Sequence, residues 1–182
     1  MNKPASANDR LAIRDGTPIR SHDWPTWPKA DASTEVALKQ VLYSTRWAIS
    51  GPYTGIESHE RKFAKEFAAF NGAKYCTPVA NGTSSLVTGL LALGVGYGDE
   101  VIVPGLTWVA CASSVLSVGA VPIIADIDPD TLSISVDAVR KAITRDTKAI
   151  MIVHAFGAMA DIKGFMDLSQ ETGLPIVEDC SQ

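Results

Sequence analysis

At 182 residues, 46% apolar and 20% charged, the chain is long enough for one ordinary domain that buries on the order of 70% of its unfolded surface. A formal net charge of -4 at pH 7, with no basic stripe, excludes nucleic acid as the main partner. No stretch approaches ~18 consecutive apolar residues and residues 1–20 lack an apolar signal core, so neither a membrane span nor secretion is expected and a cytoplasmic address follows.

Residues 1–32 are polar and punctuated by proline, and Trp24-Pro25-Thr26-Trp27-Pro28 is held extended because a residue before proline avoids helical geometry. This N-terminal arm is expected to pack its two tryptophans on the body or on a second subunit. Residues 33–182 then form the body of the chain. Ser33 or Thr34 is positioned to cap a helix with apolar residues Val36, Leu38, Val41 and Leu42. A loop follows from Arg46 to Gly55, where Gly51 and Gly55 flank Tyr53 and allow close backbone approach. From Glu57 to Phe70 the pattern is helical, with Phe63, Phe67 and Phe70 at i, i+4 and i+7 as an expected core stripe and Asn71-Gly72 as its stop. His59 reads as a surface residue.

Beyond Gly72 the chain alternates. Short strands are predicted at 75–79, 101–104, 121–127, 149–155 and from Leu174 onward; helices are predicted at 83–93, 108–118, 136–143 and 162–172. Strands alternating with helices imply an α/β fold with a mostly parallel, doubly wound sheet. Cys76, Cys111 and Cys180 are odd in number and widely spaced, which argues against disulfides or a metal site and reads them as small buried hydrophobes.

In such sheets ligands bind beyond the carboxyl ends of the strands, and three groups are predicted there. Asn81-Gly82-Thr83-Ser84-Ser85 opens a helix, where free N–H groups, a positive dipole end and hydroxyls make a phosphate seat; the same residues also suit an ordinary helix cap. As a sequon, Asn81-Gly82-Thr83 would not be glycosylated in the cytoplasm. Pro104-Gly105-Leu106-Thr107-Trp108 follows a buried strand, so Trp108 either stacks on a flat ligand or packs in the core. Asp179 ends the run Pro175-Ile176-Val177-Glu178 and is either a site carboxylate or, like Ser181, a cap. His154, at the same edge, is a supporting group or a satisfied core histidine. Gly94-Val95-Gly96-Tyr97-Gly98 follows a helix and opens a strand, the reverse of a dinucleotide loop, and no Walker lysine motif is present. A phosphate seat, a stacking ring and a carboxylate together are the parts that hold pyridoxal phosphate.

With those motifs, Val101 to Trp108, Gly119-Ala120-Val121-Pro122, Val153-His154-Ala155-Phe156-Gly157 and Glu178-Asp179-Cys180-Ser181-Gln182, the sequence resembles the DegT/DnrJ/EryC1/StrS family of fold-type I aminotransferases. The resemblance implies a pyridoxal 5'-phosphate cofactor, with Gly82 and Thr83 at its phosphate, Trp108 on its ring, Asp179 at the pyridine nitrogen and Gln182 at the ring hydroxyl. It also implies a homodimer with residues 46–55 near the interface. The segments 11–18 and 46–52 look most like aminotransferases of keto-cyclitols such as 2-deoxy-scyllo-inosose, which take the amino group from an amino-acid donor in aminoglycoside biosynthesis. Members are about twice this long, so the Schiff-base lysine is expected beyond residue 182; Lys148 and Lys163 do not match it. Within the family a dehydratase carries histidine in place of that lysine, and a chain ending at Gln182 would be a non-catalytic binding module.

Overall fold

The structure is a computed structural model, described for residues 11–14, 16–47 and 55–181. The chain divides after Ile56 into two units. In the first, helix α1 (Ala32–Ser44) is capped by Asp31, one turn earlier than Ser33 or Thr34 would cap it. The Asp31 carboxylate accepts from the N–H groups of Ser33 (2.9 Å) and Thr34 (3.0 Å), a charge-assisted arrangement that a hydroxyl cannot match. No residue of α1 is buried, and Leu38, Val41 and Leu42 line an open groove with Trp47. Trp24 and Trp27 are 77% and 88% exposed in the single chain, and Trp24 carries the Arg20 guanidinium 4.0 Å above its ring.

The second unit begins with helix α2 (His59–Phe70), which ends at Asn71 and Gly72 as the sequence requires. The phenylalanine stripe is not core. Phe63 and Phe67 stack on each other with centroids 5.3 Å apart, both about half exposed, Phe70 is exposed, and only Ala68 of the helix is buried. Residues 75–79 form no strand either, because a strand exists only against a neighbour and none of the four described strands pairs with this run.

Those strands are β1 (Glu100–Pro104), β2 (Val121–Ala125), β3 (Thr147–Val153) and β4 (Ile176–Asp179), in the order β2-β1-β3-β4 and all parallel. Helix α3 (Gly82–Ala92) precedes β1, and α4 (Ala110–Ser117), α5 (Val136–Ala142) and α6 (Ile162–Thr172) run between successive strands. Strand alternation divides the central residues between two faces. Val101, Val103, Ala149, Met151 and Val153 pack with Leu86 and Leu90 of α3 and Cys111 and Val115 of α4. Ile102, Ile150 and Ile152 pack on the other side with Val139 of α5 and Phe165 and Leu168 of α6. Both central strands are covered twice over, which makes the sheet doubly wound. Each fully buried aliphatic side chain here contributes about 1.5–3 kcal/mol.

Several boundaries move, strand β3 from 149–155 to Thr147–Val153 among them, and two of the shifts have a plain physical reason. Strand β2 stops at Ala125 rather than Ile127, because its partner β1 ends at Pro104, opposite Ala125, and Gly105 N–H makes the last bond to the Ala125 carbonyl at 2.9 Å. Strand β4 starts at Ile176 and reaches Asp179, so the carboxylate is the last residue of the ladder, in register with Val153. Gly94 and Gly98 take φ of +73° and +87° in the turn after α3, as the glycine run predicts.

Candidate active site

Asp179 anchors the site. Its position opposite Val153 turns its side chain to the sheet face that carries α3 and α4, and α3 packs on β4. The carboxylate is buried, 9% exposed, yet each hydrogen bond the structure gives it comes from a neutral donor. Oδ1 accepts from the Ser181 N–H at 3.0 Å and from the Ser181 hydroxyl. Oδ2 accepts from the Cys111 thiol at 3.5 Å. A carboxylate oxygen has two lone-pair directions, so Oδ1 is filled and Oδ2 has one acceptor position left among the described residues. A buried anion of this kind calls for a proton-bearing cationic partner.

Cys111 lies one helical turn beyond Trp108, its N–H bonded to the Trp108 carbonyl at 3.2 Å, and Thr107 Oγ1 is 3.8 Å from its sulfur. The loop between β1 and α4 is thereby tied to the end of β4. Trp108 is 70% exposed, which decides against the core reading.

Gly82 and Thr83 begin α3. Asn81 caps it, Oδ1 accepting the Ser84 N–H at 2.9 Å, so the cap reading is borne out. The first-turn N–H groups of Gly82 and Thr83 lie ahead of any intrahelical acceptor. At Gly82 an added Cβ would meet no atom within 4 Å, so the fold's own packing does not demand glycine there, while an approaching ligand would. Donor N–H groups, an open cradle and a buried carboxylate with a vacant acceptor position fit pyridoxal phosphate. Gln182 lies outside the described residues, as do residues 48–54 of the predicted interface loop.

His154 does not join this group. Its Nδ1 accepts the Ala160 N–H at 3.2 Å, which places the proton of the neutral ring on Nε2, facing the Glu178 carboxylate at 3.2 Å. It is a satisfied histidine holding β3 to β4. His154, Glu178 and Cys180 each offer an atom within 4.8 Å of the others, a spacing that metal ligands share; here the imidazole and the Glu178 carboxylate are paired with each other. Of the three cysteines only Cys111 is buried. Cys76 is half-buried and Cys180, just past the last strand, is exposed, so the buried reading is corrected for both.

Sequence reasoning missed Cys111 and Ser181 as partners of Asp179. The spacing Asp179-Cys180-Ser181, an acid followed two residues later by a hydroxyl, is the local signal that Ser181 bonds back. Nothing local reveals Cys111, 68 residues away.

Burial pushes the Cys111 thiol up to about 11, with the Asp179 charge adding to it against the Thr107 hydroxyl. The folded state therefore keeps a proton that the unfolded thiol releases near 9.0. This contribution is fully present below pH 9.0 and is lost as pH rises toward about 11. The slope should be smaller in Cys111→Ala, as measured by urea unfolding at pH 8 to 11; an identical slope would contradict the assignment.

Residues 28–182 match the model of the DegT/DnrJ/EryC1/StrS aminotransferase family. The L-glutamine:2-deoxy-scyllo-inosose aminotransferase of Streptoalloteichus tenebrarius is 53% identical over 172 residues, 94% of this chain and 41% of the relative. The chain thus spans about two fifths of the length of the curated relatives it matches. Among solved structures, S. venezuelae DesV in complex with a ketimine intermediate superposes with a TM-score of 0.73 at 36% identity, covering 83% of this chain and 39% of that one. NtdA from Bacillus subtilis with bound cofactor PMP gives a TM-score of 0.70 at 28% identity, covering 98% and 41%. With the parallel sheet, the carboxylate at the end of β4 and the match over 28–182, the chain belongs to the DegT/DnrJ/EryC1/StrS aminotransferase family.

Proposed function

We propose that this chain forms part of the cofactor site of a pyridoxal-phosphate-dependent aminotransferase that moves an amino group from L-glutamine to a keto-cyclitol of the 2-deoxy-scyllo-inosose type. The observation that carries the reading is Asp179, a buried carboxylate at a strand end with neutral donors on three sides and one acceptor position left. When bound, pyridoxal phosphate supplies an electron sink for the bond broken at the donor carbon. Asp179 would hold a proton on the pyridine nitrogen, Gly82 and Thr83 would take the phosphate on the N–H groups and dipole of α3, Trp108 would lie against the ring, and Gln182 would reach its hydroxyl. The substrate class rests on the names of relatives with about half of their matched residues identical.

The assembly proposed is a homodimer in the cytoplasm, with residues 46–55 near the interface. Support comes from the exposed Trp24 and Trp27 of the arm, since large apolar side chains in water are stabilised by a partner surface. Sedimentation of the complete gene product would read twice the chain mass if this holds.

The test of function is to load the complete gene product with pyridoxal phosphate, reduce it with borohydride and take its intact mass, then assay L-glutamine with 2-deoxy-scyllo-inosose. One reduced cofactor on a lysine together with formation of an aminocyclitol is expected. An unmodified chain would overturn the lysine-linked aminotransferase reading, and a modified chain inactive on any keto-cyclitol would overturn the substrate class.

A further inference from the structure

We infer that Cys111 is a positioning residue for Asp179, the middle of a Thr107–Cys111–Asp179 hydrogen-bond chain that fixes the carboxylate's rotation and ties it to the loop bearing Trp108. The inference rests on the reading of Asp179 as the acid that faces the cofactor ring.

The direction of the chain follows from counting protons. A thiol has one, and Cys111 gives it to Asp179 Oδ2, 3.5 Å away. The contact between Thr107 Oγ1 and the sulfur, at 3.8 Å, must then have the Thr107 hydroxyl as donor and the sulfur as acceptor. Cys111 is fully buried, so no water competes for its proton, and burial, which pushes the thiol up to about 11, keeps it protonated at neutral pH.

The need for this donor follows from the other side of the carboxylate. Ser181 supplies both bonds to Oδ1 from a single residue, through its N–H and its hydroxyl, and so pins one oxygen only. Rotation about the Cβ–Cγ bond moves both oxygens and that torsion is broad, so a second donor on Oδ2 narrows the range that the bonds to Oδ1 alone permit. The Cys111 thiol fixes Oδ2, leaving its remaining lone pair in one direction. The two supporting residues differ in reach: Ser181 is two residues from Asp179, whereas Cys111 comes from α4, the helix that follows Trp108. Moving the β1–α4 loop therefore moves the acid, and two contacts to one flat ligand are kept in mutual register.

The test uses the complete gene product prepared without cofactor, with Cys111→Val, Cys111→Ser and Asp179→Asn beside the parent. Valine removes the donor and adds one methyl group of bulk; serine restores a donor. The readouts are the Kd for pyridoxal phosphate, the circular dichroism induced in its absorption band, which reports ring orientation, and melting of the cofactor-free protein. Cys111→Val should weaken binding about five-fold and change the induced signal, while Cys111→Ser stays within about two-fold of the parent with the parent's signal. If Cys111→Val does not fold, Cys111→Ala takes its place. Binding and induced signal unchanged in the donor-less variant would overturn the inference, as would serine behaving like valine. If Asp179→Asn also leaves both unchanged, the reading of Asp179 as the ring acid has failed; if only Asp179→Asn has an effect, the positioning role alone has failed.

Discussion

Replacing Asp179 with alanine should lower turnover of the complete enzyme by at least about 10²–10³-fold, the scale on which removal of one preorganised charge at a reacting centre is felt. Among the described residues the carboxylate is the one buried acid of the strand ends on the α3 and α4 side of the sheet. Its loss removes the group that would hold a proton on the ring nitrogen, while the strand itself is untouched, since β4 pairs with β3 through backbone groups. The side chain also leaves few debts behind. Ser181 sits at the exposed end of the strand and can turn to water, and the Cys111 thiol is a weak donor, so stability should fall by no more than about 1–2 kcal/mol. Product formation from L-glutamine and thermal unfolding, measured side by side, check both halves. Turnover within ten-fold of the parent (about 1.4 kcal/mol) would rule out the assigned role. A collapse of melting temperature with the activity would make Asp179 a structural residue.

Phe165→Ala should do the opposite, damaging the fold without touching the site. Phe165 is fully buried on α6, in the cluster with Ile102, Ile150 and Ile152 of the sheet and Val139 of α5. The face it fills is the one turned away from Asp179. Truncating a buried phenylalanine costs about 3–5 kcal/mol through lost transfer energy and the cavity left behind. Against a total stability of about 5–15 kcal/mol, that is enough to populate unfolded protein well below the parent's midpoint. Urea unfolding should show a lower midpoint with an unchanged slope, and cofactor affinity of the folded fraction should be that of the parent. A shift below about 1 kcal/mol would mean that α6 does not close this face of the sheet.

The alternating pattern from Tyr75 onward carried most of the fold. Helix α6 was legible to the residue because Asp161 caps it and Gly173, at φ +74°, ends it, both local devices. Strands β1 and β3 were legible because both faces are covered, which writes an unbroken apolar run into the sequence. The run 75–79, Tyr75-Cys76-Thr77-Pro78-Val79, has no partner among the described strands, and pairing is a property of two segments, not one. The stripe of Phe63, Phe67 and Phe70 shows the converse: helical spacing tells which residues share a face, and only the neighbouring elements decide whether that face is covered.

The same division runs through the site. Local chemistry determined that Asn81 caps a helix whose first N–H groups are open, that Asp179 ends a strand, and that family motifs stand in order along the chain, because caps, turns and strand ends are set by residues a few positions apart. Only the tertiary structure decided that Trp108 is exposed, that His154 pairs with Glu178 rather than with Asp179, and that Cys111 rather than a cation touches the buried carboxylate. Those outcomes depend on which strand lies beside which and on the face to which each side chain turns. A parallel sheet with the order β2-β1-β3-β4 brings residues 68 positions apart into one hydrogen bond, a distance over which sequence pattern carries no geometric information.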